Sequence, residues 1–372
     1  MNILILNWRD PRHPRSGGAE YVTHEHAKGW VHMGDRVTWF SSMFPGAERE
    51  EMLDGVHIVR QGNVISVFLF AMVYYFFHSK KYDVIIDEVH GIPFFTVLYA
   101  RTPTILFLHE IAGVIWDAMY PFPISMVGKA LESWYIRLYR NHRVWTDADS
   151  TVDELVHAGI PRDHCVAIPC PVATPPLSNR PTKNADLTCI SVGRIVQMKK
   201  VEDILIAFAD ILKEYPAAEL WIVGAGDASY LSMLRGLSVS LHISDHVVWY
   251  GRVSERKKMD LLGQAHFLLH TSVKEGWGLV VLEAASSWTP SIAYGAGGLT
   301  DTVKDGKTGV IVRTFLPSDI AKNVIRIYGN QRVYRRMQTD AHAWSGTLRW
   351  PDAIRLSHAL LEKSLVYNNP HV

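Results

Sequence analysis

Two glutamates eight positions apart carry the densest chemical signal in the chain. They sit in Lys274-Glu275-Gly276-Trp277-Gly278-Leu279-Val280-Val281-Leu282-Glu283-Ala284. On one helix this spacing is about 2.2 turns and about 12 Å of rise, so both carboxylates would share a face. Gly276 and Gly278 weaken a helix interior. Glu275 is therefore expected in a glycine loop at the mouth of a helix, with Glu283 on its second turn. Such a pair can hold two ends of an elongated polar ligand. An amphipathic helix with two solvated acids would give the same spacing.

Other groups with chemical potential follow apolar, strand-like runs. Gly193 and Arg194 come after residues 188–192, and Lys199-Lys200 stand at the entry to a helix. Two cations near a helix N-terminus form a diphosphate clamp, with Arg as a bidentate fork and Lys as a point charge, or else a solvated basic turn. Gly224-Ala225-Gly226-Asp227 and Gly297-Gly298-Leu299-Thr300-Asp301 are further glycine turns, each weak evidence alone. In the first half, Ser16-Gly17-Gly18-Ala19-Glu20 opens a helical run, where backbone amides favour an anion or simply make a turn. His109 and Glu110 follow the run 104–108, a place for a cleft-facing or a structural histidine. There is no G-x-G-x-x-G, so a nicotinamide site is not supported. Phosphates need cations and donors, and sugar hydroxyls need carboxylates. The second half offers both.

The elements that must position these groups alternate. Strands are expected over 3–6, 37–40, 84–86, 104–108 and 143–146, with helices over 19–33, 65–78, 126–139 and 151–158. The alternation restarts with strands over 188–192, 219–223, 247–250, 267–270, 291–293 and 309–311, and with helices over 201–215, 231–237, 256–262, 279–286 and 317–328. This predicts an α/β protein of two doubly wound, Rossmann-like domains with parallel sheets, whose ligands bind beyond the carboxyl ends of the strands, in a cleft. The expected boundaries are 1–170, a stiff proline linker over 171–184 that contains Pro171, Pro175 and Pro176, a second domain over 185–348, and a C-terminal helix and tail over 349–372.

A length of 372 residues fits two domains, and 48% apolar content fills two cores. The net charge of +1 argues against nucleic acid as a partner. Cys165, Cys170 and Cys189 have no metal or redox spacing and fit a reducing compartment. Met1 leads directly into an apolar strand, with no signal peptide expected. Residues 64–77 are apolar nearly all round but too short to span a bilayer. They are expected to lie buried under a sheet, an interfacial membrane contact being the other reading.

With these residues in hand, the chain resembles the retaining GT-B glycosyltransferases of family 4 over nearly its whole length. Val192-Gly193-Arg194 through Lys199, Val223-Gly224-Ala225-Gly226, the Glu275-to-Glu283 segment and Gly297-Gly298 carry the resemblance, supported by Ser16-Gly17-Gly18-Ala19-Glu20. It implies transfer of a sugar from a nucleotide-diphosphate sugar to an acceptor hydroxyl with no metal and no other cofactor. Arg194 and Lys199 would hold the diphosphate and Glu283 the ribose. Glu275 would lie beside the sugar, with the amides of Gly276, Trp277, Gly278 and Leu279 lining its pocket. His109 would face the donor sugar, and Gly17 and Gly18 the donor phosphate or acceptor. Arg252 and Val253 would pack on the base, and the C-terminal helix would cross back to the first domain. Three positions depart from the family pattern: Cys170-Pro171 in place of Asn-Gly, Lys200 in place of a glycine, and Asp301 in place of a glutamate. The rival readings are a nucleotide-sugar epimerase on the same fold and a non-catalytic nucleotide-sugar-binding protein. The acceptor is expected to be a saccharide or lipid-linked sugar in surface polysaccharide or glycolipid assembly. The setting would be cytoplasmic, with peripheral contact at the inner membrane face through the aromatics of residues 68–77 and of Trp116, Tyr120 and Phe122, near Lys129, Arg137 and Arg140.

Overall fold

The computed structural model describes residues 1–173 and 179–367. Thr174, Pro175, Pro176 and Ser178 of the expected linker, and the tail beyond Tyr367, lie outside the described residues. The chain forms two compact units, Met1–Cys170 with Arg349–Val372, and Pro171–Leu348.

Unit 1 contains β1 (Asn2–Leu6), α1 (Gly18–His32), β2 (Arg36–Ser41), β3 (Glu50–Leu53), β4 (Val56–Arg60), α2 (Val67–His78), β5 (Val84–Val89), β6 (Thr104–Leu108), α3 (Val114–Met119), α4 (Ile124–Leu138), β7 (Arg143–Thr146), α5 (Asp149–His157) and β8 (Cys165–Ala167). The eight strands lie in the order β3-β4-β2-β1-β5-β6-β7-β8. Among the described strands, only the β3–β4 pairing is antiparallel. The central strands read as unbroken apolar runs because both faces are covered: Ile3 to Leu6 and Ile105 to Phe107 have no exposed surface. The β3–β4 hairpin was not among the expected strands. Its turn is Asp54-Gly55, both residues at positive φ (52° and 83°), the arrangement that Asp-Gly favours in two-residue hairpins.

Unit 2 contains β9 (Thr188–Val192), α6 (Val201–Glu214), β10 (Glu219–Val223), α7 (Ala228–Ser240), β11 (Val247–Gly251), α8 (Glu255–Gln264), β12 (Phe267–His270), α9 (Leu279–Ser286), β13 (Ser291–Tyr294), α10 (Leu299–Thr302), β14 (Gly309–Val312), α11 (Pro317–Tyr328) and α12 (Gln331–Thr347). Its sheet, in the order β11-β10-β9-β12-β13-β14, is wholly parallel. Helix α12 was also missed. Its buried stripe of Tyr334, Met337, Gln338, Ala341 and Ser345 has helical spacing but is half polar, so apolar periodicity does not reveal it.

The burial expected for residues 64–77 is overturned. Helix α2 buries a single stripe, Val67, Ala71 and Tyr75, against the core beneath β1 and β5. A helix on one face of a sheet covers only one stripe, and among the described residues no further layer lies over the rest. Ile65 is 85% exposed, Phe77 81%, and Leu69 and Phe76 58% each. The α3–α4 hairpin adds exposed Val114, Phe122, Ile124, Met126, Leu131 and Trp134. The segment between them joins the two patches, because Tyr99 packs on the Phe76 ring and Phe95 on the Trp134 ring. Among the described residues no helix is long and apolar enough to cross a membrane.

The last helix, α13 (Trp350–Tyr367), belongs to unit 1, as expected of a helix that crosses back. It lies so close to α1 that a Cβ on Gly29 would fall 2.5 Å from Ile354. Ser357 is fully buried and bonds both to the His26 ring at 2.9 Å and to Trp30 Nε1 at 3.1 Å. Burial holds the His26 pKa at about 3, so His26 stays neutral. Removing the Ser357 hydroxyl leaves two buried donors without an acceptor. Ser357→Ala should therefore destabilise the chain by about 2 kcal/mol in urea denaturation, and an unchanged midpoint would show that water replaces the hydroxyl.

Candidate active site

Unit 2 brings its strand-end loops together by backbone contact. A Cβ on Gly224 would lie 1.8 Å from the Gly193 oxygen, and one on Gly226 2.0 Å from the Ile195 oxygen. The same holds at Gly297, 2.4 Å from the Glu275 oxygen, and at Gly298, 2.0 Å from the Gly276 oxygen. Only glycine permits these approaches. Gly224 and Gly226 thus act by letting the loop after β9 lie on the loop after β10, where Ile195 N donates to Ala225 O at 2.9 Å. Gly297-Gly298 likewise supports the Glu275 loop, with Gly298 N donating to Glu275 O at 2.8 Å. Lys200, where the family pattern has a glycine, has a left-handed backbone (φ 47°, ψ 48°), which is why glycine suits the position.

Glu275 lies in that loop and Glu283 on the second turn of α9, as the spacing suggested. Lys199 Nζ contacts Glu275 Oε2, and His270 Nε2 lies 3.3 Å from the same oxygen. Burial alone would raise the Glu275 pKa, but Lys199 and His270 outweigh it and hold the carboxyl well below its usual range. The exposed Arg194 makes no ion pair among the described residues. With Gly193, Lys199, His270 and Thr271 it lines a depression of about 10 Å³, room for one water. Glu283 accepts from Lys258 Nζ at 2.9 Å, and burial still raises its pKa. Lys258 comes from α8, and no short-range signal links it to Glu283. Gly278, at φ 87°, caps α9 ahead of Leu279, and Trp277 is buried beneath the loop. After β11, Arg252 is exposed while Val253 packs on the core.

Unit 1 holds a row of polar groups along the carboxyl edge of its sheet. Arg9, after β1, pairs with Glu20 (Nε–Oε1, 2.6 Å) and donates to His90 Nδ1 at 3.0 Å. His90 Nε2, after β5, donates to Glu88 Oε1 at 3.0 Å. His109 Nε2, after β6, donates to the same oxygen at 3.2 Å, and His109 Nδ1 donates to Asp147 Oδ2, after β7, at 2.6 Å. The Cys170 thiol, after β8, donates to Asp147 Oδ1 at 3.1 Å. The Cys170 departure thus supplies a donor to the acid that holds His109. Burial would lower the His109 pKa, but Asp147 and Glu88 override it and hold it at about 10. Glu88, which burial would raise, is brought to about 2 by His109 and His90. His109 is therefore an imidazolium with both N–H groups engaged. The ligand atoms of Glu88, His90 and His109 lie within 4.8 Å of one another. Both Nε2 atoms carry protons bound to Glu88, so as bonded this is an ion-pair cluster with no nitrogen lone pair free for a metal. The Gly17 amide, expected to face a ligand, instead donates to Glu20 Oε2 at 2.6 Å, while Gly18 starts α1 exposed.

Comparison with known proteins adds a family. The profile described as Glycosyltransferase Family 4 matches residues 16–174, and that of Glycosyl transferases group 1 matches 178–344. The chain belongs to glycosyltransferase family 4. Among curated relatives of this family 4 chain, alpha-monoglucosyldiacylglycerol synthase of Streptococcus pneumoniae is 33% identical over 129 residues, 35% of this chain and 29% of that protein. The chain spans less than half the length of the curated relatives it matches. Sucrose-phosphate synthase from Thermosynechococcus elongatus shares the GT-B fold at TM-score 0.80 and 17% identity, covering 97% of this chain and 98% of that one. Anabaena HepE, solved in complex with UDP and glucose, does so at TM-score 0.73 and 16% identity, covering 98% and 100%.

The charge on His109 of this family 4 chain has a measurable consequence. Its folded pKa stands above the unfolded value, so its contribution to stability is complete below pH ~6.5 and is lost as pH rises towards 10. Nitrogen-15 NMR should show both ring nitrogens protonated at pH 8. Unfolding free energy should fall by on the order of 3 kcal/mol between pH 7 and 10, and by less in Asp147→Asn. A neutral ring at pH 7.5 would refute the assignment.

Proposed function

We propose that the chain transfers a sugar from a nucleotide-diphosphate sugar to an acceptor hydroxyl, retaining the anomeric configuration and using no metal ion. The observation that carries this reading is the pairing in unit 2 of an open cation, Arg194, with Lys199–Glu275 and Lys258–Glu283. A ligand that is anionic at one point and hydroxylated at two others matches that set. The diphosphate takes Arg194 and Lys199, whose charges stabilise it most as the sugar bond breaks. Ribose hydroxyls donate to Glu283, and sugar hydroxyls to Glu275, with the amides of Gly276 to Leu279 beside them. Arg252 and Val253 flank the base. The acceptor proton passes to the departing phosphate oxygen on the same face of the sugar. His109 has both N–H groups engaged, so it contributes a fixed positive charge. Family membership supports this reading, as does UDP with glucose in the HepE complex.

Lys199→Ala should lower kcat/KM by about 10²- to 10³-fold, the usual loss for one charge-stabilising donor. Glu283→Gln should weaken nucleotide affinity roughly tenfold while kcat for bound donor changes little. Wild-type kcat/KM in the lysine variant, or wild-type nucleotide affinity in the glutamine variant, would reject these roles.

We further propose a lipid-linked acceptor reached at an anionic membrane. Support comes from the apolar face of α2, α3 and α4, from exposed Lys80, Lys81, Arg101, Arg137 and Arg140 on the same elements and their flanks, and from a relative whose name specifies a diacylglycerol product. Apolar insertion and cationic attraction add at such a surface. The chain should co-sediment with phosphatidylglycerol vesicles at low salt and be released as salt rises. Phe77→Ser with Leu69→Ser should abolish binding. Retention in the supernatant at low salt would defeat the reading.

A further inference from the structure

Unit 2 has a second concave site at the opposite edge of its sheet. Lys183 precedes β9 and His266 precedes β12, so both mark the amino ends of parallel strands, whereas Arg194, Lys199 and Glu275 follow the carboxyl ends. Arg180, Lys183, His266, Tyr328, Arg335 and Gln338 are among the residues lining a cleft of about 300 Å³. That volume is at the lower end of small-molecule sites.

The lining is cationic without compensation. Among the described residues it contains Arg180, Lys183 and Arg335 and no carboxylate, and none of the three makes an ion pair. Lys183 Nζ finds the Thr289 hydroxyl at 2.6 Å, and the Arg180 guanidinium lies over the Trp288 ring at 6.0 Å. Burial and the nearby Arg180 push the Lys183 pKa well down, a direction that a bound anion would reverse. His266 accepts the Thr188 N–H on Nδ1 at 3.0 Å, so its ring proton sits on Nε2. Gln338 supplies an independent sign. It has no exposed surface, and its amide nitrogen donates to Trp288 O at 3.2 Å and to the Tyr334 hydroxyl at 2.9 Å. Among the described residues its Oε1 has no partner. A buried acceptor left unpaired beside a cationic cleft fits a ligand that brings its own donor.

We propose that this cleft binds a small hydroxylated phosphate monoester, its phosphate among Arg180, Lys183 and Arg335 and a hydroxyl donating to Gln338 Oε1. The sheet separates the cleft from the loops that carry Arg194 and Lys199, so the two sites fill independently.

Isothermal titration of the whole chain with glucose 6-phosphate, glucose 1-phosphate, glycerol 3-phosphate and inorganic phosphate tests this. At least one monoester should bind once per chain and more tightly than inorganic phosphate. Arg335→Ala and Arg180→Ala alter exposed side chains and leave folding intact. Each should raise that Kd roughly tenfold or more, the scale of one charge-assisted contact. Lys183→Met should do the same, while Lys199→Ala should leave the Kd unchanged. The proposal fails if no probe binds in the millimolar range, if inorganic phosphate binds as well as every ester, or if Lys199→Ala abolishes binding while Arg335→Ala does not.

Discussion

The row of hydrogen bonds along the carboxyl edge of the unit 1 sheet is the constraint on which that unit's chemistry depends. Parallel strands end on the same side, so β1, β6, β7 and β8 each deliver one polar group to the row and β5 delivers two, Glu88 and His90, in the order in which the strands pair. Arg9 is answered by Glu20, and the charges alternate in sign from Glu88 through His109 to Asp147. Each charge is buried only because the next one answers it, and deleting one member leaves an unpaired charge in low dielectric. Asp87, one residue earlier on β5, anchors the backbone that follows by accepting from Phe94 N, the Thr96 hydroxyl and the Tyr139 hydroxyl. Burial and Asp147 push the Cys170 thiol up, so it remains a protonated donor at the point where the chain leaves the unit.

Unit 2 achieves the same positioning by another means. Its loops are locked by carbonyl oxygens that occupy the space of absent Cβ atoms, and the charged side chains are carried on this backbone framework. The loop after β12 is tied to the loop after β9 as well, since the Thr271 hydroxyl donates to both Lys199 O and Lys200 O at 2.8 and 2.9 Å. Lys199 and Glu275 meet because their main chains are already joined.

The parts legible in the sequence are those set by local spacing. Glu275 and Glu283 were readable because loop, cap and helix fall within one short segment, and the strands were readable because double burial makes them continuous apolar runs. Glu88 was not, because charged residues at the end of β5 look like the start of a loop until their partners on other strands are known. The Lys258–Glu283 pair is equally invisible, as it depends on how α8 packs on α9. The composition of α2 announced its apolarity, but whether anything covers it is a question of tertiary layering. The Asp54-Gly55 turn was a readable signal, obscured because both strands are short and β3 opens with the acidic pair Glu50-Glu51.

The placement of α13 bears on the order in which the chain can fold. Trp30, His26 and Gly29 on α1 are covered by residues that follow all of unit 2 in sequence. During synthesis, unit 2 can close its own core as soon as α12 has emerged, while unit 1, although begun first, keeps a tryptophan-lined seam open. Elongation at roughly 5–20 residues per second leaves that seam uncovered for many seconds while unit 2 is made. The first unit to be translated is thus the last to be sealed.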